Sequence, residues 1–247
     1  MYWKLEELTW EEAEKAFKEA DYVILPTGSL EQHGLHLPLN VDSLRATYLV
    51  DEVLKSSDKY GLKLIKLPTL PYGCSEHHMK FPGTITIKPE TYIQLIKDIG
   101  LSVYRHGAKR FLIMNFHGGN LSALSIAMQI IRRETGMKTY LVHWTSYARD
   151  LIDAWTTPGW GHACEHETSI ILYYRPELVR KQKIVKPKIR SRPPISSFRY
   201  FNEITNTGGI GDPTKSSAEF AKQLIEKVTE RILKTLKETI DVEENRN

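Results

Sequence analysis

Tyr22-Val23-Ile24-Leu25-Pro26-Thr27-Gly28-Ser29-Leu30-Glu31-Gln32-His33-Gly34-Leu35-His36-Leu37-Pro38-Leu39-Asn40-Val41-Asp42 runs from a strand into a loop dense in ligand-type side chains. Tyr22 to Leu25 is an apolar, β-branched run, the pattern of a buried strand. The loop beyond it packs a Glu, two His and an Asp into one short segment. Side chains two apart in an extended segment point the same way, so Glu31 and His33 face one point just past the strand end. The chain then curls through Pro38 and brings Asp42 back to that point. A hard oxygen, an imidazole and a second oxygen converging at a strand mouth suit a divalent metal ion.

Working outward, strands alternate with helices. A capping-box pattern at Thr9-Trp10-Glu11-Glu12 opens a helix to about Ala20. Ser43 to about Leu54 has helical spacing, and Leu62 to Leu67 reads as a strand. Residues 68–83 read as loop and Thr84 to Ile87 as a short strand. Pro89 starts a helix that runs to Gly107. Phe111 to Met114 is another buried strand, followed by a helix from Leu121 to Arg133 that Gly136 closes. Thr139 to Val142 is a strand, and His166 to Tyr174 a helix ended by Pro176. Ser216 and Glu219 form a second capping box. The apolar stripe Phe220, Leu224, Ile225, Val228, Ile232, Leu236 and Ile240 marks a long amphipathic helix, packed on the sheet or on another subunit. The tail from Asp241 is expected to fray. This order predicts an α/β fold with a mainly parallel sheet and helices on both faces. It is read as a single domain over residues 1–247, with a basic, Pro/Gly-containing arm at 180–215 and a C-terminal helix at 216–240. Ligands of such sheets sit outside the carboxyl ends of the strands, where the Glu31 and His117 loops both fall.

The 247 residues carry a formal charge of +4. No apolar run is long enough to span a bilayer. The first residues have neither the basic nor the apolar region of a secretory signal. Two cysteines, Cys74 and Cys164, are too few for a disulfide framework and fit a reducing cytoplasm. Much of the basic excess lies between Arg180 and Arg192, where prolines interrupt it, so a solvated arm is expected rather than a nucleic-acid surface. Gly208-Gly209-Ile210-Gly211-Asp212-Pro213 has no preceding strand and no Lys-Ser/Thr closure, so it reads as a turn and not a phosphate loop.

Two further clusters join the first. Asn115-Phe116-His117-Gly118-Gly119-Asn120 follows a strand directly and adds an imidazole at the same sheet edge. Gly161-His162-Ala163-Cys164-Glu165-His166-Glu167-Thr168-Ser169 sets carboxylates and imidazoles just ahead of an apolar helix. Its His162–His166 portion also matches the inverted zinc-peptidase motif H-x-x-E-H, a reading that leaves Glu31 and His117 without a role.

Together these segments, with Ser75-Glu76-His77 and Phe81-Pro82-Gly83-Thr84 between them, resemble the creatininase family of metal-dependent amidohydrolases. The resemblance implies a Rossmann-like three-layer α/β/α sandwich, a two-metal centre at the strand ends and a homohexamer. By position, Glu31, Asp42 and His117 would hold one ion, and His33 and Asp42 the other, with Asp42 as the bridge. Creatininase has a Glu two residues after the His that matches His117; here Gly119 stands there, and Glu167 is expected to fill the gap. His162 matches the catalytic His of the family. Glu167 would be a ligand or would orient His162. His36, Glu76, His77, Phe81 and Trp160 are expected to line the substrate pocket.

The expected cofactor is two divalent metal ions: zinc first, with manganese and iron(II) also compatible with mixed N/O ligands. The expected reaction is hydrolysis of a C–N bond in a small cyclic amide or formamide by a hydroxide shared between the ions. His162 would carry the proton to the departing nitrogen. One alternative is a deformylase of a formamidopyrimidine nucleotide in flavin and deazaflavin synthesis, whose phosphate the basic arm would meet. A metal-binding protein without catalysis is the alternative of another class.

Overall fold

The computed structural model describes residues 1–190, 195 and 197–245. Its sheet has five parallel strands in the order β1-β3-β2-β4-β5: β1 (Tyr2–Lys4), β2 (Tyr22–Thr27), β3 (Leu64–Lys66), β4 (Arg110–Asn115) and β5 (Lys138–His143). β2 and β4 lie side by side at the centre, with Val23 opposite Phe111 and Thr27 opposite Asn115. Both strands therefore end at the same level, and the loops that leave them start as neighbours.

The helices are α1 (Trp10–Glu19), α2 (Val41–Ser56), α3 (Pro89–Arg105), α4 (Leu121–Thr135), α5 (Arg149–Trp155), α6 (Glu165–Tyr174), the one-turn α7 (Phe201–Ile204) and α8 (Ala218–Glu244). They cover both faces of the sheet, as the expected three-layer fold requires. Tyr22, Ile24, Leu112 and Met114 point into a core shared with α2, α6 and α8. Val23, Leu25, Phe111 and Ile113 point into the opposite core, with α1, α3 and α4. This alternation is the two-residue period of a strand buried on both sides, which is why the runs read as continuously apolar.

Several local expectations needed correction. Thr84 to Ile87 makes only isolated bridges, Leu30 to Ile85 and Gly73 to Thr86, and joins no strand of the sheet. The N-terminal Tyr2–Lys4 segment, unread in the sequence, is the edge strand next to β3. The cap of α8 is Ser217, which accepts from the Phe220 N–H; Ser216 lies one residue outside. The apolar stripe of α8 is buried against this chain's own sheet, α2 and α6. Its last turn does not fray at Asp241: Glu243 pairs with Arg110 and Lys138, each at 2.7 Å. Of the arm at 180–215, residues 191–194 and 196 lie outside the described residues. No helix among the described residues is long and apolar enough to cross a membrane.

Candidate metal centre

The loop after β2 delivers Glu31 and His33 to the carboxyl edge of the sheet. Gly28 lets it pass the start of α2, since a Cβ there would sit 2.6 Å from the Ser43 nitrogen. Asp42 lies in the first turn of α2 and Glu167 in the first turn of α6, where a helix N-terminus favours a carboxylate. His117 follows β4. Asn115 braces its backbone by donating to the His117 carbonyl at 2.6 Å, and Asn120 ties the Gly28 carbonyl to the Cys74 N–H.

The five expected ligand side chains meet. His33 Nε2 is 3.3 Å from Asp42 Oδ1, and His117 Nδ1 is 3.1 Å from Asp42 Oδ2. His117 Nδ1 is also 3.3 Å from Glu31 Oε1. Glu167 Oε2 lies 3.9 Å from His33 Nε2. Among the sets of three facing ligand atoms, Glu31, Asp42 and His117 form one and His33, Asp42 and Glu167 another, while His162 also falls within reach of Glu31 and His33. Asp42 belongs to the first two sets, one oxygen towards each. All five are buried.

The ring nitrogens turned inward are those free to ligate. His33 Nδ1 is spent on the Glu31 carbonyl at 3.1 Å, and His117 Nε2 on the Cys74 carbonyl at 3.1 Å. Both Glu31 oxygens and His33 Nε2 are fully buried without a hydrogen-bond partner. Buried polar atoms are rarely left unpaired, and these converge where a cation would satisfy them. The donor set thus fits one or two divalent ions. Burial alone would raise Glu31 and Asp42; the facing His117 and His78 bring Glu31 well below the ordinary carboxylate range, and His33 and Arg45 do the same for Asp42. Against their own burial, His33 and His117 are raised by the carboxylates they face, so in the metal-free protein protons occupy part of the ligand space.

Arg45, one turn after Asp42, was not anticipated. Its guanidinium is buried, pairs with Asp42, lies 2.8 Å from Glu167 Oε1 and donates to the Phe116 carbonyl at 3.1 Å. Glu167 is held from its other side by the Ala163 N–H at 2.5 Å, and Ala163 is the one non-glycine residue at positive φ among those described. Gly119 admits no side chain: a Cβ would lie 2.2 Å from the Cys74 carbonyl oxygen.

His162 donates from Nε2 to the Gln32 carbonyl at 2.6 Å, leaving Nδ1 free, 3.7 Å from Glu31 Oε1. Burial, then the neighbouring His33, lowers its pKa to about 4, so it is neutral at pH 7. The group that orients it is the Gln32 carbonyl; no hydrogen bond joins it to Glu167 among the described residues. The inverted zinc motif is not formed, because α6 begins only at Glu165 and His166 faces the Cys164 sulfur at 2.9 Å. Glu165 is a structural clamp that accepts from the Thr157 and Asp212 N–H groups, each at 2.8 Å.

A cavity of about 290 Å³ opens onto these ligands, walled by Phe116, Trp144, Trp160, Phe201 and Ile210. His77 lines it as well. Glu76 lines only the adjoining cavity that shares His77, and His36 and Phe81 line neither. His36 is buried against Thr168 Oγ1 at 2.7 Å, and Glu76 accepts from the Tyr200 hydroxyl at 3.1 Å. Phe81 stays in the loop outside, its N–H bonded to the His78 carbonyl at 2.9 Å. A second cavity, of about 350 Å³, shares His77 and Gly119 with the first and continues past Ile87, Lys88 and Phe198.

The fold has close counterparts. A solved structure described as "Creatininase Mn" superposes with a TM-score of 0.86 at 27% identity, covering 96% of this chain and 98% of its own. The mycofactocin precursor peptide peptidase of Mycobacterium tuberculosis is 30% identical over 221 residues, 82% of this chain and 79% of that protein. The creatinine amidohydrolase of Pseudomonas putida is 29% identical over 238 residues, 89% of this chain and 90% of that protein. With the family model for creatinine amidohydrolase matching residues 6–236 as well, the chain belongs to the creatininase family of metal-dependent amidohydrolases.

Proposed function

We propose that this protein hydrolyses a C–N bond of a small cyclic amide or formamide at a two-metal centre. Asp42 carries the reading: its two oxygens face different imidazoles at 3.3 and 3.1 Å, as a bridging ligand would. Glu31 and His117 would complete one position, His33 and Glu167 the other. Zinc is the first candidate, with manganese and iron(II) next. Such a pair, when bound, supplies an activated water and polarises the amide carbonyl.

The remaining work falls to the chain itself. Neutral His162 accepts a proton at its free Nδ1 while the Gln32 carbonyl holds its other nitrogen. It then returns that proton to the departing nitrogen. The aromatic walls of the cavity bound the substrate's size. A second reading, cleavage of a peptide amide, draws on the second cavity beyond His77 and Gly119, which offers room for a longer substrate. The peptide peptidase relative points the same way.

Purified protein loaded with zinc, manganese or iron(II) should be assayed on creatinine, lactams, a formamidopyrimidine nucleotide and short peptides. Turnover that chelation abolishes and added metal restores is expected. Two bound ions with no hydrolysis of any amide would favour a metal protein without catalysis. The homohexamer implied by the family is proposed likewise, and sedimentation velocity would measure it.

A further inference from the structure

His78 is buried and approaches the metal ligand Glu31, its Nε2 lying 3.3 Å from Oε1. With Glu31 and His77 it forms a further group of facing ligand atoms that by distance alone resembles another metal position. The hydrogen-bond partners of Gln32 decide otherwise. One end of its amide faces the Gly34 N–H at 2.9 Å, an obligate donor, so that end is the oxygen. The other end is therefore NH2, and it faces the Gly208 carbonyl at 3.0 Å and His78 Nδ1 at 2.8 Å. A flipped amide would oppose donor to donor at Gly34 and acceptor to acceptor at Gly208. Two hydrogens meet two acceptors, so His78 Nδ1 carries no proton and the neutral ring bears its hydrogen on Nε2, 3.3 Å from Glu31 Oε1 but not aligned as a hydrogen bond to it, so the N–H acts on the carboxylate as a nearby dipole.

We infer that Gln32 locks His78 in the Nε2–H tautomer, which bars this imidazole from the metal and makes it a positioning residue that steadies the Glu31 carboxylate. The inference rests on the metal-centre reading for the role of Glu31, but the tautomer itself does not. Gln32 is the hub of the arrangement, since its backbone carbonyl also fixes the His162 ring. Gly208 is packed against the same amide: at φ +85° any other residue would be strained, and its Cβ, 1.9 Å from Gln32 Oε1, would push that amide aside.

The test is a long-range proton–nitrogen NMR spectrum of protein carrying ¹⁵N-labelled histidine, with His78 assigned by comparison to His78→Gln. The expected signature is an unprotonated Nδ1 and a protonated Nε2, before and after zinc is added. A protonated Nδ1, or an Nε2 that loses its proton when zinc binds, overturns the inference. Gln32→Leu should mix the two tautomers and weaken zinc binding about 10- to 100-fold, the usual effect of losing a partner that orients a ligand. His78→Leu should weaken it similarly. His78→Gln, which restores an N–H donor, should recover most of the affinity, and equal losses in the two variants would count against the positioning role. If Gln32→Leu does not fold, the wild-type spectrum still decides the tautomer. Wild-type protein that binds no zinc at all would defeat the metal-centre reading and the role of His78 with it, whatever its tautomer.

Discussion

At the scale of single residues, one carboxylate and one imidazole have separable tasks. Asp42→Ala removes the atom pair that both ligand sets share. Metal analysis should find both positions emptied and hydrolysis lost; two ions still bound would end the bridge assignment. His162→Ala should leave metal content intact and lower turnover by about 10²- to 10⁴-fold, the usual share of a general acid–base group. Arg45 is a different case. Its guanidinium compensates Asp42 and Glu167 deep in the protein. Arg45→Met leaves two buried carboxylates facing each other, and the metal-free protein should lose about 3–5 kcal/mol by urea denaturation. Glu31, His33, Asp42 and His117 were legible because ligand-type residues stood out in loops next to apolar strands. Arg45, Gln32 and His78 were not. A buried arginine on a helix looks like a surface one until its neighbours are known. A glutamine acts here only through the direction of its amide.

Secondary-structure elements carry the positions of these residues. The two central strands were readable as unbroken apolar runs, and the helix breaks at Pro89 and Gly136 were readable from local chemistry. Thr84 to Ile87 has strand-forming residues but lacks a neighbour in register, so propensity alone misplaced it. The three-residue edge strand at the N-terminus is too short to carry a period. α8 seals one of the two cores: Leu233 is fully buried in the core that it shares with α2, α6 and the sheet. Leu233→Ala should cost about 2–5 kcal/mol in urea denaturation. A loss below about 1 kcal/mol would mean that this face does not seal the core.

At the scale of the whole molecule, stability, acidity and metal are linked. His33 and His117 have raised pKa values in the metal-free fold. The stabilisation that their protons provide is complete below the ordinary value of 6.5 and fades as pH rises through the raised values. Zinc must displace those protons. The thermal stabilisation by zinc should therefore grow as pH rises above 6.5, with proton release visible by calorimetry in buffers of different ionisation enthalpy. A zinc effect that is constant with pH would show that the imidazoles do not take part.

Position 119 reaches beyond its own loop. With the Cys74 carbonyl 2.2 Å from where any Cβ would begin, and the His117 and His77 rings at 2.4 and 2.9 Å, exchange of this glycine for an acid meets main chain first and two rings beside it. Converting this centre to one whose last ligand comes from the His117 loop would demand that the 73–75 backbone retreat first. The two ways of completing the cluster are thus separated by a shift of the scaffold.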